Sequence, residues 1–252
     1  MPRTPSERVI LLLVAAVQFV NVLDFMIVMP LGPDFARALA ISPSHLGYIG
    51  GSYTAAACVT GLLGSLFLDR FDRRNALGVS VFGLVIGTAL GGFATGLPSL
   101  LAARVLAGAF GGPATSIALS IIADVVPLER RGRAMSAVMT SFTLASIAGV
   151  PAGLELARRG GWRMPFFGVA ALGLVVTVLA VALLPSLRGH LERAATPDHR
   201  DAPSLAAMLR RPTVRLSYLA NVVTNVGMFA LIPNIPPYVQ NNLGYPRADL
   251  GQ

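Results

Sequence analysis

Two ionisable side chains stand deep inside long apolar runs: Asp24 in residues 9–30 and Arg104 in residues 98–124. A charge among such neighbours costs several kcal/mol unless it is paired or wetted, so each is a functional candidate by default. Asp24 lies six residues before Pro30, and Arg104 lies six residues after Pro98. If both runs are helices crossing a membrane, with a rise of about 1.5 Å per residue, both groups sit about 9 Å below the same boundary. Opposite charges at matching depth admit two chemistries. Asp24 could carry a proton or cation as the arginine swings toward it and away. The pair could instead be permanent and simply fix helix packing.

The other reactive residue types offer little. Cys58 is the single cysteine, and His45, His190 and His199 all fall between the apolar runs. With no H-E-x-x-H pattern and no paired carboxylates at one depth, neither an enzyme nor a metal centre is read here, and no cofactor is implied. The glycine-rich stretch from Gly108 to Pro113 has no preceding strand and no following lysine, which sets aside a phosphate loop. A light-sensing Schiff base is set aside because the chain contains no lysine.

The elements that must hold Asp24 and Arg104 follow from composition. The 252 residues are 54% hydrophobic and 13% charged, with a mean hydropathy of +0.67, whereas soluble domains carry about 25% charge. This is an all-α integral membrane protein. Spans of about 20 apolar residues are predicted at residues 9–30, 45–68, 76–95, 98–124, 134–157, 164–184 and 216–239, seven in all. The net charge of +8 comes from 20 arginines against 12 acids, and it reads as membrane topology, not nucleic-acid binding. With the N-terminus inside, fourteen arginines fall in inner loops and five in outer ones, although Arg158, Arg159 and Arg163 run against the trend. Residues 1–184 are predicted as a six-helix unit, 185–214 as a cytoplasmic linker and 215–252 as the start of a second unit. Within the linker, residues 204–211 could form a short amphipathic helix on the membrane surface, with a solvated connection as the alternative.

Small residues four apart, such as Gly83, Gly87 and Gly91, or Gly108 and Gly112, predict closely packed helices, since lipid gives no hydrophobic drive between them. Trp162 is read as an interfacial anchor.

The loops and helix ends carry a resemblance. Ser65 to Arg74 reads SLFLDRFDRR, which resembles the signature G-x-L-A-D-R-x-G-R-[KR] of major facilitator superfamily transporters. Asp69, Arg70, Arg73 and Arg74 match, while Ser65 and Asp72 replace the two glycines. Arg104 to Gly108 resembles the R-x-x-x-G motif of drug:proton antiporters in that superfamily. Ala148 to Gly153 is similar to their fifth-helix motif G-x-x-x-G-P-x-x-G, carried here by Gly149, Pro151 and Gly153. Asp24 to Pro33 looks like their first-helix signature, and Gly160 to Phe166 resembles the approach to their sixth helix.

The resemblance implies a bundle of inverted three-helix repeats and a full complement of twelve helices, so the chain is read as truncated after helix seven. It implies transport by alternating access in a bacterial inner membrane, with small amphipathic molecules exported and the proton as coupling ion. Asp24 and Arg104 would couple the proton; Phe25, Met26, Asn221, Thr224 and Asn225 would line the substrate cavity. Asp69, Arg70, Arg73, Arg74 and Asp124 would form a cytoplasmic gate, and Gly149 and Pro151 would break or thin the fifth helix. The alternatives are a sugar or metabolite transporter of the same superfamily and a nonfunctional truncated homologue. The partners implied are the lipid bilayer and a small-molecule substrate.

Overall fold

The computed structural model describes residues 6–188 and 210–231. The described residues are helical throughout, joined by short turns: α1 (Glu7–Ile27), α2 (Gly32–Ala38), α3 (Leu46–Phe67), α4 (Arg73–Gly92), α5 (Leu97–Val125), α6 (Leu128–Leu144), α7 (Val150–Gly160), α8 (Met164–Leu183) and α9 (Pro212–Leu231). The chain divides into two compact units, Met1–Ala195 and Thr196–Gln252.

Six stretches in the first unit are long and apolar enough to cross a membrane: α1, most of α3, α4, α5, the combined Leu128–Gly160 helix and α8. They answer the first six predicted runs. The seventh run is helical as α9, which is not among the six; its outer part lies outside the described residues, as do residues 204–209 of the proposed surface helix.

Local chemistry sets several boundaries. Asp72 caps α4, its carboxylate accepting the Arg74 backbone N–H at 3.0 Å. Ser99 Oγ accepts the N–H groups of Thr95 and Gly96 at 3.1 Å each, closing the start of α5. Gly161 turns the chain between α7 and α8 at φ +80°, a conformation that glycine adopts freely.

Of the break or thinning expected at Gly149 and Pro151, the fifth span shows no break. Residues Ala145–Gly149 form a π turn, with the Val150 N–H reaching back to the Ala145 carbonyl, and the helix continues into α7 with Pro151 in its first turn. Pro151 has no N–H to donate, and the wider turn just before it takes up the irregularity while the helix runs on.

α1 lies centrally, packed on α5, α6 and α8, while α3 packs on α5 and α4 on both α5 and α8. The glycines explain the closeness. A methyl added to Gly108 or Gly112 would run into the α3 backbone at Tyr53 or Ala57, and one at Gly87 would meet the backbone of Ala107. Gly149 and Gly153 likewise let α1 approach through Leu23 and Ile27.

Successive spans alternate in direction, so α1, α4 and α6 begin where α3, α5 and α8 finish. Ion pairs between Glu7 and Arg130 (3.1 Å) and between Arg73 and Asp124 (3.3 Å) tie this end together. Among the described residues of the first unit it holds eight arginines against four at the opposite end; it is the basic end. At the other end Phe35, Trp162 and Phe166 pack together in a second apolar cluster. Trp162 is therefore buried, at 7% exposure, and not an anchor facing the headgroups; its indole packs on both Phe35 and Phe166, with the Arg163 guanidinium 4.4 Å from the ring centre.

Candidate functional site

Asp24 on α1 and Arg104 on α5 meet. Two parallel bonds join the guanidinium to the carboxylate, Nη1 to Oδ2 and Nη2 to Oδ1, both at 3.1 Å, and Nη1 also reaches the Asp24 carbonyl at 3.3 Å. Asp24 is 0% exposed and Arg104 1%. A two-pronged pair of this kind is strong and geometrically exacting. Thr88 of α4 adds a third contact, its hydroxyl 2.7 Å from Asp24 Oδ1 and 2.8 Å from the Leu84 carbonyl. The guanidinium carbon lies 5.6 Å from the Tyr53 ring centre and 5.5 Å from that of Phe166, within cation–π range. Arg104 Nε has no hydrogen-bond partner among the described residues.

One helical turn along α1, a neutral polar cluster continues the same seam. Asn21 donates to the Gly111 carbonyl and to Thr115 Oγ1, both at 2.8 Å, and its side-chain oxygen accepts the Tyr53 hydroxyl. Thr115 in turn lies 3.3 Å from Gln18 Oε1. Asn21, Phe25, Tyr53 and Thr115 line an open groove of about 530 Å³ between α1, α3 and α5, a volume within the range of small-molecule sites. Phe25 packs on Tyr53 at 5.6 Å between ring centres.

Of the predicted cavity residues in the first unit, Phe25 lines this groove and Met26 does not. Met26 turns toward the π segment, where its sulfur accepts the Ser146 hydroxyl at 3.4 Å. Asn221 and Thr224 are exposed on α9 within the second unit, and the Asn225 side chain lies outside the described residues. Sequence reasoning missed Gln18, Asn21, Tyr53, Thr88 and Thr115. Part of the signal was present: Gln18, Asn21 and Asp24 recur every three residues on an apolar helix, which places them on one face.

At the basic end, Arg73 Nε bonds Asp124 Oδ2 at 3.3 Å, with side chains 9% and 24% exposed. Arg70 is exposed and Arg74 part-buried; neither forms an ion pair among the described residues. The Asp69 side chain lies outside the described residues; among the described residues, Arg73 and Asp124 are the members of the expected relay that meet. Asp72, which replaces a signature glycine, has its own task. Its carboxylate accepts the Leu187 N–H at 3.1 Å, the Ser186 hydroxyl and Arg188 Nε at 3.3 Å, pinning the segment after α8 to the start of α4. Burial pushes the Asp72 carboxyl up, but bonds from Ser186, Leu187, Arg74 and Arg188 outweigh it and hold the group below the usual carboxylate range.

Six helices long and apolar enough to span a membrane, with a polar seam between them beside an open groove, define a multi-pass membrane protein. The sequence profile of the Major Facilitator Superfamily matches residues 14–252, and the chain belongs to that superfamily. It is 29% identical over 92% of its length to a chloramphenicol resistance protein of Streptomyces lividans, covering 58% of that protein. It is 25% identical over 90% of its length to multidrug resistance protein 2 of Bacillus subtilis, covering 56% of it. The chain thus spans about half the length of these curated relatives. Among solved structures, a D-xylose-proton symporter shares the fold at a TM-score of 0.64 and 17% identity, over 91% of this chain and 56% of that one.

Proposed function

We propose that the protein exports small amphipathic molecules by proton-coupled alternating access, with Asp24 as the proton-carrying group and Arg104 as its partner. The observation that carries this reading is the fully buried, two-pronged Arg104–Asp24 pair beside an open groove. A carboxylate held this way leaves its arginine at least cost as the neutral acid, so protonation and separation of the pair go together. A state in which the two have parted can then be reached by taking up a proton, which is the linkage an antiporter needs. The groove walls, Phe25 and Tyr53 with Asn21 and Thr115, suit a ligand with an apolar body and a few polar groups. The names of the resistance proteins above support export of such compounds. In this reading residues 1–184 are the six-helix half, 185–214 the linker and 215–252 the start of the second half, with Asn221, Thr224 and Asn225 as its substrate-contacting residues. Asp69, Arg70, Arg73, Arg74 and Asp124 form the cytoplasmic gate, and Gly149, Pro151 and Gly153 the flexible face of the fifth span. The arginine excess at the basic end supports a cytoplasmic N-terminus.

The test is energised export of a fluorescent lipophilic cation from cells stripped of efflux pumps. The chain, and the longer product where the gene continues, are compared with the same proteins carrying Asp24→Asn. Loss of export in the variant, at equal membrane abundance, supports the assignment. Undiminished export by Asp24→Asn makes the pair structural and moves the coupling site elsewhere.

A further inference from the structure

The wall formed by α3 and α5 has two faces. One carries the polar groove described above. The other, together with α4, encloses a second groove of about 720 Å³, walled by Leu63, Val79, Phe110 and Pro113 and opening at Arg70, Asp72 and Arg188. From Asp72 at its mouth to Ser80 at its inner limit is eight residues of α4, about 12 Å along a helix. That is close to the depth of one leaflet in a hydrocarbon core of about 30 Å.

Among the described residues, the charges at the mouth do not cancel. Asp72 is committed to Ser186, Leu187, Arg74 and Arg188. Arg188 gives Asp72 only its Nε and is 65% exposed, so its two terminal nitrogens are free among the described residues. Arg70 is exposed and has no partner among the described residues. Two arginine forks with free donors therefore overhang an apolar slot at a membrane surface.

We propose that this groove binds one anionic phospholipid, its phosphate held by Arg70 and Arg188 and an acyl chain lying along Leu63, Val79, Phe110 and Pro113. A guanidinium matches phosphate oxygens two at a time, and basic pockets between membrane helices recruit anionic headgroups. The slot offers the chain the same apolar contact as its neighbours in the leaflet, so the headgroup supplies the selectivity.

Native mass spectrometry of the purified chain, delipidated in detergent, tests this by counting retained lipid during titration with phosphatidylglycerol or with phosphatidylcholine of identical chains. The expected result is a single tightly retained phosphatidylglycerol and no matching phosphatidylcholine. Each arginine near an anionic headgroup is worth about fivefold in affinity, so Arg70→Ala with Arg188→Ala should cost about twenty-five-fold. Val79→Trp, at a position 64% exposed and so tolerant of a larger ring, should block the slot and reduce retention without altering charge. The proposal is overturned if the two lipids are retained equally, if Arg130→Ala with Arg131→Ala removes as much binding as the mouth pair, if Val79→Trp leaves retention untouched, or if excess inorganic phosphate displaces the lipid.

Discussion

Two of the molecule's arginine–carboxylate pairs lie in opposite settings. At the central seam Arg104 and Asp24 are 1% and 0% exposed and share two parallel bonds. At the basic end Arg73 and Asp124 are 9% and 24% exposed and share one bond at 3.3 Å. The chemistry is the same and the solvent is not. Breaking the first leaves an uncompensated charge in the buried interior, whereas breaking the second leaves Asp124, 24% exposed, in reach of solvent. A contact of the second kind opens and closes cheaply, as the proposed gate requires; one of the first kind, in the proposed function, stays shut until a proton or a competing group changes its charge balance.

The largest effect should follow from removing one member of the central pair. Arg104→Ala or Asp24→Ala is expected to cost about 3–5 kcal/mol, because the abandoned charge stays buried. Thermal unfolding in detergent micelles reads this. The double change Asp24→Leu with Arg104→Met should recover most of the loss, since apolar replacement of a whole buried pair is often neutral. In the proposed function it should also abolish energised export. A double variant that is stable and still exports would separate the pair from coupling altogether.

Next comes Thr88→Val, which keeps the shape and removes the hydroxyl shared by Asp24 and the Leu84 carbonyl. A hydrogen bond to a charged acceptor is worth about 1.5–3 kcal/mol, so a loss of about 2 kcal/mol is expected from the same melting measurement. Loss of only a few tenths would mean that Arg104 alone satisfies the carboxylate, and the seam would resemble the basic end more than its burial suggests.

These two predictions also mark what the sequence could disclose. Asp24 and Arg104 were legible as a pair because charge inside an apolar run is rare and helix rise converts spacing into depth. Thr88 was not legible, because a hydroxyl on a spanning helix ordinarily bonds its own helix four residues back, and only the packing of α4 against α1 gives it a second acceptor. The six spans were legible for the same reason as the pair, through length and hydropathy. The π turn was not, because Gly149 and Pro151 signal an irregularity without specifying whether the helix breaks or widens. Asp72 is the sharpest case. As a departure from a glycine it looked like a disturbance of a turn, but its four hydrogen bonds come largely from residues about 115 positions along the chain, beyond the reach of any local pattern.

Asp72→Gly should therefore release the segment after α8 and cost about 1–2 kcal/mol, combining a weakened helix cap with the loss of charge-assisted bonds. Its pH dependence has a definite sign. The folded protein holds the Asp72 carboxyl below its ordinary value of 3.8, so the unfolded chain binds the proton more readily and the stabilisation is complete above that value. It falls away as the pH drops below it, toward the depressed folded value. The melting difference between the native sequence and Asp72→Asn should shrink over that acid window and stay constant above it. A difference that grew on acidification would contradict the bonding described.

The smallest effect separates the two pairs most cleanly. Asp124→Asn removes one charge partner of Arg73, at a pair whose Asp124 side chain is 24% exposed, so the expected cost is below about 1 kcal/mol. Raised salt should shrink it further, because exposed pairs are screened and buried ones much less so. If the gate reading holds, the same variant should change how often the basic end opens, seen as faster labelling of a cysteine placed at Ala76 or Val125. A cost of 3 kcal/mol or more, insensitive to salt, would show that this end is as tightly committed as the seam, and the contrast between a contact built to open and one built to stay shut would fail.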